Sequence, residues 1–323
     1  MIIDEPACAG RGSGLPREVS VMRLLRLVLA VLALTVSAAA GTATAQSVPT
    51  AAAVPERLRL DVSDWVDRTT TVRAHAPVPD TADGIGPGSA LLITIPNEGT
   101  FICSANFVWA QGGKRYLGAA GHCFLPGTKT ATHGPGKDYD ANGVTTRVCV
   151  SECLTGGELT GLTGAFVALG RVAYARQTGL GGDVGNDFGL VEIPASRAAL
   201  IRPAMPMWNG PSVSGTLAAG DLACHYGNGV AVGEVFPTKG RVGVGLRTNP
   251  TFWAADTAAA PGDSGSALAT CVSDGAGLHG VKAIGILTHI APGQGGIVGT
   301  TMSRAVAMAA EAKLQISPVL PKA

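Results

Sequence analysis

Charge is scarce in this sequence, and neither sign dominates. Charged side chains make up 15% of its 323 residues, with 24 basic against 23 acidic. That balance leaves no sequence-wide field to draw in a polyanion, so nucleic-acid binding is not expected. So little charge beside 46% hydrophobic residues also excludes a disordered chain or a highly charged coiled coil. Apolar runs are short as well. The longest, residues 27–40, falls below the ~20 residues a membrane-spanning helix needs. Repeats at the ~20–50-residue periods of solenoids are absent. The 45 glycines follow no Gly-X-Y period, which excludes collagen. What remains is ample apolar material for a core and about twice the usual share of glycine, as in a turn-rich β protein.

The N-terminal part reads as an address. Met22 opens a segment with Arg23, Arg26, the apolar run and the triplet Ala43-Thr44-Ala45 before Gln46. A basic start, a short apolar middle and an A-x-A exit describe a cleavable secretory signal over residues 22–45, and so a secreted protein with no membrane contact after cleavage. An uncleaved anchor is the competing reading. Residues 1–21, with Asp4, Glu5 and Glu18, do not resemble part of a signal, and translation is expected to start at Met22. Residues 46–84 hold Pro49, Pro55, Pro77 and Pro79, and a charged stretch in which Leu58, Val62 and Trp65 lie at helical spacing. They read as a propeptide or a linker.

Setting Cys8 aside with the leader leaves Cys103, Cys123, Cys149, Cys153, Cys224 and Cys271. An even number in an exported chain argues for disulfides. Cys149 and Cys153 lack a second close pair and an adjacent histidine, so a metal site is the weaker reading. From about residue 85, short runs punctuated by glycine take over. Segments 90–95, 101–109, 115–119, 165–173, 188–193, 222–226, 240–246, 266–271 and 282–289 read as strands. Met302, Val306, Ala309 and Lys313 fall on one helical face before Pro318 stops the helix. The pattern is all-β, a double barrel with one terminal helix.

Three segments carry chemistry: GAAGHC with His122, NDFGLV with Asp187, and GDSGSAL with Ser264. An imidazole, with a pKa near ~6.5, can take and return a proton at neutral pH. Asp187 opens an otherwise apolar strand, where a carboxylate needs a partner such as an imidazole N–H. Glycines around Ser264 let a substrate carbonyl approach, and the amides of Gly262 and Ser264 can point at one oxygen. Asp183 is a nearby alternative acid, read as an exposed turn.

In this order the three segments resemble the signatures of the chymotrypsin/trypsin family of serine peptidases, and its secreted bacterial branch in style. The resemblance covers residues 85–316, with 317–323 as a tail. It implies two packed six-stranded antiparallel β-barrels with a C-terminal α-helix. It further implies a serine endopeptidase with Ser264 as nucleophile, His122 as base and then acid, Asp187 orienting the imidazole, and the Gly262 and Ser264 amides as oxyanion hole. No metal or organic cofactor is implied. The family pairing places Cys103 with Cys123 and Cys224 with Cys271, leaving Cys149 with Cys153.

The family's pocket floor maps onto Ala258, whose methyl group offers no charge to bind a basic side chain. The opposite wall maps onto 285–289, where Thr288 is expected to hydrogen-bond Asp187. His289 reads as turned to solvent, against the alternative of an acid-binding histidine like that of glutamate-specific bacterial relatives. There are departures too. Ala119 replaces the usual threonine, and Ser266 replaces a second glycine common in animal enzymes. No Ile-Val-Gly-Gly start is visible, so Asp263 needs another partner, an arginine or backbone amides. A protein or peptide substrate, a secreted protease inhibitor as partner and a monomeric state complete the expectation. A catalytically silent binding protein on the same scaffold, or an esterase using the same three side chains, are the other readings.

Overall fold

The computed structural model describes residues 78–80, 83–125, 130–133, 143–155, 162–178, 184–229, 232, 238–275, 277–291 and 296–322. The signal expected at 22–45, the leader before it, most of 46–84 and Asp183 lie outside these residues.

The first half contributes β1 (Val78–Pro79), β2 (Ala90–Ile95), β3 (Gly99–Ser104), β4 (Val108–Gln111), β5 (Lys114–Ala119), β6 (Thr130–His133), β7 (Thr145–Thr155), β8 (Leu162–Ala168), β9 (Val172–Thr178) and β10 (Asp187–Ile193). After a 3₁₀ turn at Ala195–Leu200 come β11 (Val213–Ser214), β12 (Leu222–Tyr226), β13 (Gly240–Thr248), β14 (Phe252–Asp256), β15 (Ala267–Asp274), β16 (Gly277–Ala291) and β17 (Gly296–Thr301). Helix α1 (Met302–Glu311) and β18 (Ser317–Val319) end the chain.

The second half closes into a barrel. Its ladder runs β16-β15-β12-β13-β14-β17, and β17 pairs again with β16, so six strands leave no open edge, with β11 added outside. Trp253, Leu268, Ile284, Leu287 and Ile297 fill it. The first half folds as two hydrogen-bonded sheets around one core: β1-β7-β2-β3 with β8 on β7, and β18-β4-β5-β10-β9-β6. Leu91, Ile93 and Ile95 alternate inward from the first sheet and meet Val108, Leu117, Val172 and Val191 of the second. Residues 317–319, read as tail, pair as β18 with β4.

Two expected strands are each broken into two. The run 101–109 bends at Ala105–Phe107, so that β3 serves one sheet and β4 the other; 165–173 divides likewise into β8 and β9. Strands that change sheets at a bend are how such packings turn their corners, and a bend does not interrupt an apolar pattern. β7, β14 and β17 were not read as strands at all. In β17 the sequence GIVGTT, four of its six residues glycine or threonine, shows little contrast between faces.

The helix is where expected, but its buried face is Met302, Ala305, Met308 and Ala309. Val306 is only partly buried, and Lys313 lies beyond the helix at φ 64°. There it caps the end: Lys313 N–H donates to Ala310 O at 2.9 Å, and Leu314 N–H to Ala309 O at 2.9 Å. At the other end the Thr301 hydroxyl accepts from Arg304 N–H at 3.2 Å.

The disulfides are Cys103–Cys123, Cys149–Cys153 and Cys224–Cys271, with Cα separations of 6.5, 6.0 and 6.1 Å. These are the expected pairs. Among the described residues no helix is long and apolar enough to cross a membrane, and no group of His, Cys, Asp or Glu could hold a metal ion.

Candidate active site

β5 and β10 are antiparallel neighbours, with Ala119 opposite Gly189. The chain leaving β5 enters a 3₁₀ turn at Gly121–Cys123, while Asp187 begins β10. Strand pairing therefore delivers His122 and Asp187 to the same end of the sheet, and the Cys103–Cys123 bridge ties the turn to β3. The Asp187 carboxylate is 1% exposed and engages His122 twice. Oδ1 accepts the backbone N–H at 3.1 Å, and Oδ2 accepts Nδ1–H at 2.7 Å. Burial alone would lower the His122 pKa. The charge of Asp187 and its hydrogen bond outweigh it, so the imidazole titrates above its ordinary range.

Asp187 is held from behind by residues with no sequence signal of their own. Thr300 Oγ1 donates to Asp187 O at 2.8 Å and lies 3.3 Å from Asp187 N. The neighbouring Asn186 Oδ1 accepts from Arg304 Nε at 2.8 Å and Nη2 at 2.5 Å. The end of β17 and the first turn of α1 thus fix the NDFGLV segment.

Ser264 sits on the loop between β14 and β15. Its carbonyl accepts from Ser104 N–H at 2.9 Å, and Gly265 N–H donates to Leu287 O at 2.7 Å. Gly265 adopts φ 93°, and a Cβ there would lie 2.2 Å from Ser104 O and 2.9 Å from Ala120 N. Only glycine fits between β3 and the residues leading to His122, and this close packing brings the Ser264 loop against the His122 segment. Along the loop, the amides of Asp263 and Ser266 donate to Ala260 O and Asp263 O, each at 3.0 Å. Among the described residues, the amides of Gly262 and Ser264 have no such acceptor.

Asp263 is fully buried. It receives Arg241 Nη1 at 2.8 Å, Gly229 N–H at 2.7 Å and Ala260 N–H at 2.8 Å. Both expected kinds of partner, an arginine and backbone amides, are present. The carboxylate lies so close to the GNG segment that a Cβ at Gly229 would come within 2.7 Å of Oδ2.

The pocket residues stand differently from expectation in two places. Thr288 Oγ1 does not take up Asp187. It lies 3.4 Å from Val298 O, 3.5 Å from Val184 O and 2.8 Å from His289 Nδ1, while Thr300 supplies the hydroxyl at Asp187. His289 is half-buried and its ring faces His122, with centroids 6.4 Å apart, rather than turning to solvent. Burial lowers its pKa, with the His122 charge acting in the same direction and Asp187 opposing. Ala258 passes its carbonyl to another histidine: His225 Nε2 lies 2.8 Å from Ala258 O, and Nδ1 lies 3.4 Å from Ser266 Oγ. His225 is wholly buried, and burial together with Arg241 pushes its pKa down to about 4.

No family model matches the chain, and no curated protein matches it. Among solved structures it is similar to protease A of Thermobifida fusca, at 18% identity over 73% of this chain and 99% of the other, with a TM-score of 0.37. It is similar also to the protease Anisep of Arthrobacter nicotinovorans, at 14% identity over 73% and 99%, TM-score 0.46. A glutamic acid-specific serine protease with a histidine triad in substrate binding shares 16% over 73% and 100%, TM-score 0.41. The chain is thus similar to bacterial serine proteases.

Proposed function

We propose that this chain is a secreted serine endopeptidase that cleaves peptide bonds by acyl transfer. The observation that supports this most is the grip of the buried Asp187 on His122. With Nδ1–H committed to the carboxylate, the ring presents its other nitrogen as a base. His122 Nε2 takes the hydroxyl proton of Ser264 as Oγ attacks the substrate carbonyl, and Asp187 stabilises the imidazolium so formed. The N–H groups of Gly262 and Ser264 receive the oxyanion, at ~3–4 kcal/mol per donor in sites of this kind. The imidazolium then protonates the leaving amine. Water, deprotonated by His122, attacks the acyl-enzyme and releases the acid. These steps use the chain's own groups and one water.

The pocket is read as Ala258 at its floor with Thr288 and His289 on its wall. None of these carries a carboxylate, so a lysine or arginine side chain finds no counter-charge. The half-buried His289 facing His122 favours a second reading of this pocket, a preference for acidic side chains, which a peptide-library digest without cleavage after glutamate would remove. Three disulfides support an oxidising, extracellular destination. The test of the main reading is a casein digest and fluorophosphonate labelling, comparing the protein with its Ser264→Ala variant. Activity and labelling confined to the parent support it; equal activity in the two removes it.

A further inference from the structure

The loop carrying Ser264 is gripped from the first half of the molecule by a contact that the acyl-transfer steps do not call for. Ser104 closes β3 and is fully buried, and its hydroxyl lies 2.9 Å from Gly262 O. Its backbone N–H donates to Ser264 O at 2.9 Å. One residue therefore holds the loop on both sides of Asp263.

A second residue sets the direction of that hydroxyl. Asn228, also fully buried, donates its backbone N–H to Ser104 Oγ at 2.8 Å, and its Nδ2 lies 3.4 Å from the same oxygen. A hydroxyl has one proton to give and two lone pairs to receive with. With donors facing the lone pairs, the proton goes to Gly262 O. Asn228 is itself anchored at both ends of its amide: Nδ2 donates to Gly88 O at 2.9 Å, and Oδ1 accepts from Thr155 Oγ1 at 3.1 Å. One residue further on, Gly229 N–H reaches Asp263. The chain of contacts runs from β7 through Asn228 and Ser104 to the Gly262 carbonyl, with every polar group given a partner.

The Gly262–Asp263 peptide lies between the two amides without acceptors. Gly262 stands at φ 99° with no Cβ, so little in its own backbone resists rotation of that peptide. A turn about the Gly262 Cα–C bond would break the Asp263 N–H bond to Ala260 O and swing the following chain, with the Ser264 amide, out of line with the Gly262 amide. We propose that Ser104 and Asn228 are positioning residues that lock the Gly262–Asp263 peptide and so keep these two N–H groups aligned for a developing oxyanion. The inference rests on reading those amides as the oxyanion site. Neither side chain touches substrate.

The test uses a fluorogenic peptide chosen from a library digest, and a boronic acid of the same peptide, whose tetrahedral adduct with Ser264 presents an oxygen to both amides. In Ser104→Ala, kcat falls about 10-fold with KM within about twofold, below the ~10²–10³ expected for outright loss of a donor. Boronate affinity falls by a similar factor, and Ser104→Thr, which keeps the hydroxyl, recovers most of both. Thr155→Val keeps side-chain shape, loses only the anchor of Asn228, and lowers kcat about threefold with KM unchanged; it carries the test alone if Ser104→Ala does not fold. Native kcat in Ser104→Ala or in Thr155→Val, or a raised KM with kcat intact, overturns the inference. If the wild-type protein neither labels at Ser264 nor hydrolyses peptide, the acyl-transfer reading falls and takes this inference with it; labelling with unaltered variants overturns the inference alone.

Discussion

Lys239 and Asp80 form an ion pair 2.6 Å long across 159 positions of sequence, with the lysine side chain wholly buried. Tyr226 adds its hydroxyl to the same carboxylate oxygen at 3.2 Å. Burial lowers the lysine pKa, and Asp80 holds it up. A buried cation stripped of its counter-ion is among the more costly changes a fold can suffer, typically ~3–5 kcal/mol.

Asp80 lies upstream of residue 85, in a segment read from sequence as propeptide or linker, yet β1 pairs with β7 and Gly84 N–H donates to Val150 O at 2.7 Å. We therefore predict that the mature chain of the proposed secreted peptidase begins before Val78. N-terminal sequencing of protein from culture medium checks this, and a start beyond Asp80 refutes it. Asp80→Asn should lower unfolding free energy by roughly 3 kcal/mol in chemical denaturation.

Arg241 and Asp263 make the second buried pair, and four further bonds hold Asp263 itself. Arg241→Met leaves a buried carboxylate uncompensated beside Ser264. The expected result is a loss of ~3–5 kcal/mol in stability and a fall in the fluorophosphonate labelling rate at temperatures where the variant is still folded. Wild-type labelling kinetics in a destabilised variant would show that the pair serves stability alone.

Activity needs a neutral imidazole, and Asp187 raises the pKa of His122. The acid limb of kcat/KM should therefore have its midpoint above the ordinary ~6.5 of histidine. Asp187→Asn removes the charge and the tautomer lock together, and kcat should fall by about 10⁴. A wild-type midpoint below 6.5 contradicts the assignment.

His225 gives stability a pH dependence of defined sign. Its folded pKa of about 4 lies below the unfolded value, so between the two the unfolded chain binds a proton that the folded one refuses. Stability contributed by the neutral ring is complete above ~6.5 and declines as pH falls toward about 4, by on the order of 3 kcal/mol. His122, with its pKa raised, works the other way, losing its contribution as pH rises. Denaturation from pH 7.5 to 4.5 should show a shallower loss in His225→Asn than in the wild type; parallel curves would exclude the effect.

Arg304 donates twice to Asn186, one residue before Asp187. Arg304→Met removes two donors from the half-buried Asn186 amide and should cost roughly 1 kcal/mol, and lower kcat more than it raises KM. A change in KM alone would mean that α1 does not position the acid.

The local part of this protein was legible without coordinates. Strand runs such as 90–95 and 222–226 follow from short, largely buried runs punctuated by glycine, and GAAGHC, NDFGLV and GDSGSAL mark an imidazole, a carboxylate on an apolar strand and a hydroxyl among glycines. The need of Asp263 for an arginine or amides was likewise legible, through the resemblance, because no Ile-Val-Gly-Gly start is visible to serve as its partner. The identity of the partner was not. Arg241, Thr300 and Ser104 stand in ordinary strand sequence and Lys239 just before a strand, and each acquires its role only when segments distant in the chain become neighbours. The same holds for Thr288 and Thr300: the fold sets the Thr300 hydroxyl, not that of Thr288, against the backbone of Asp187. Sequence by itself determined which groups could do chemistry and where several of the strands lie, since both depend on covalent structure and short-range pattern. Which buried charge meets which, where an apolar run bends between two sheets, and which way His289 faces were decided by tertiary packing, because burial and hydrogen-bond partners exist only once the sheets have closed.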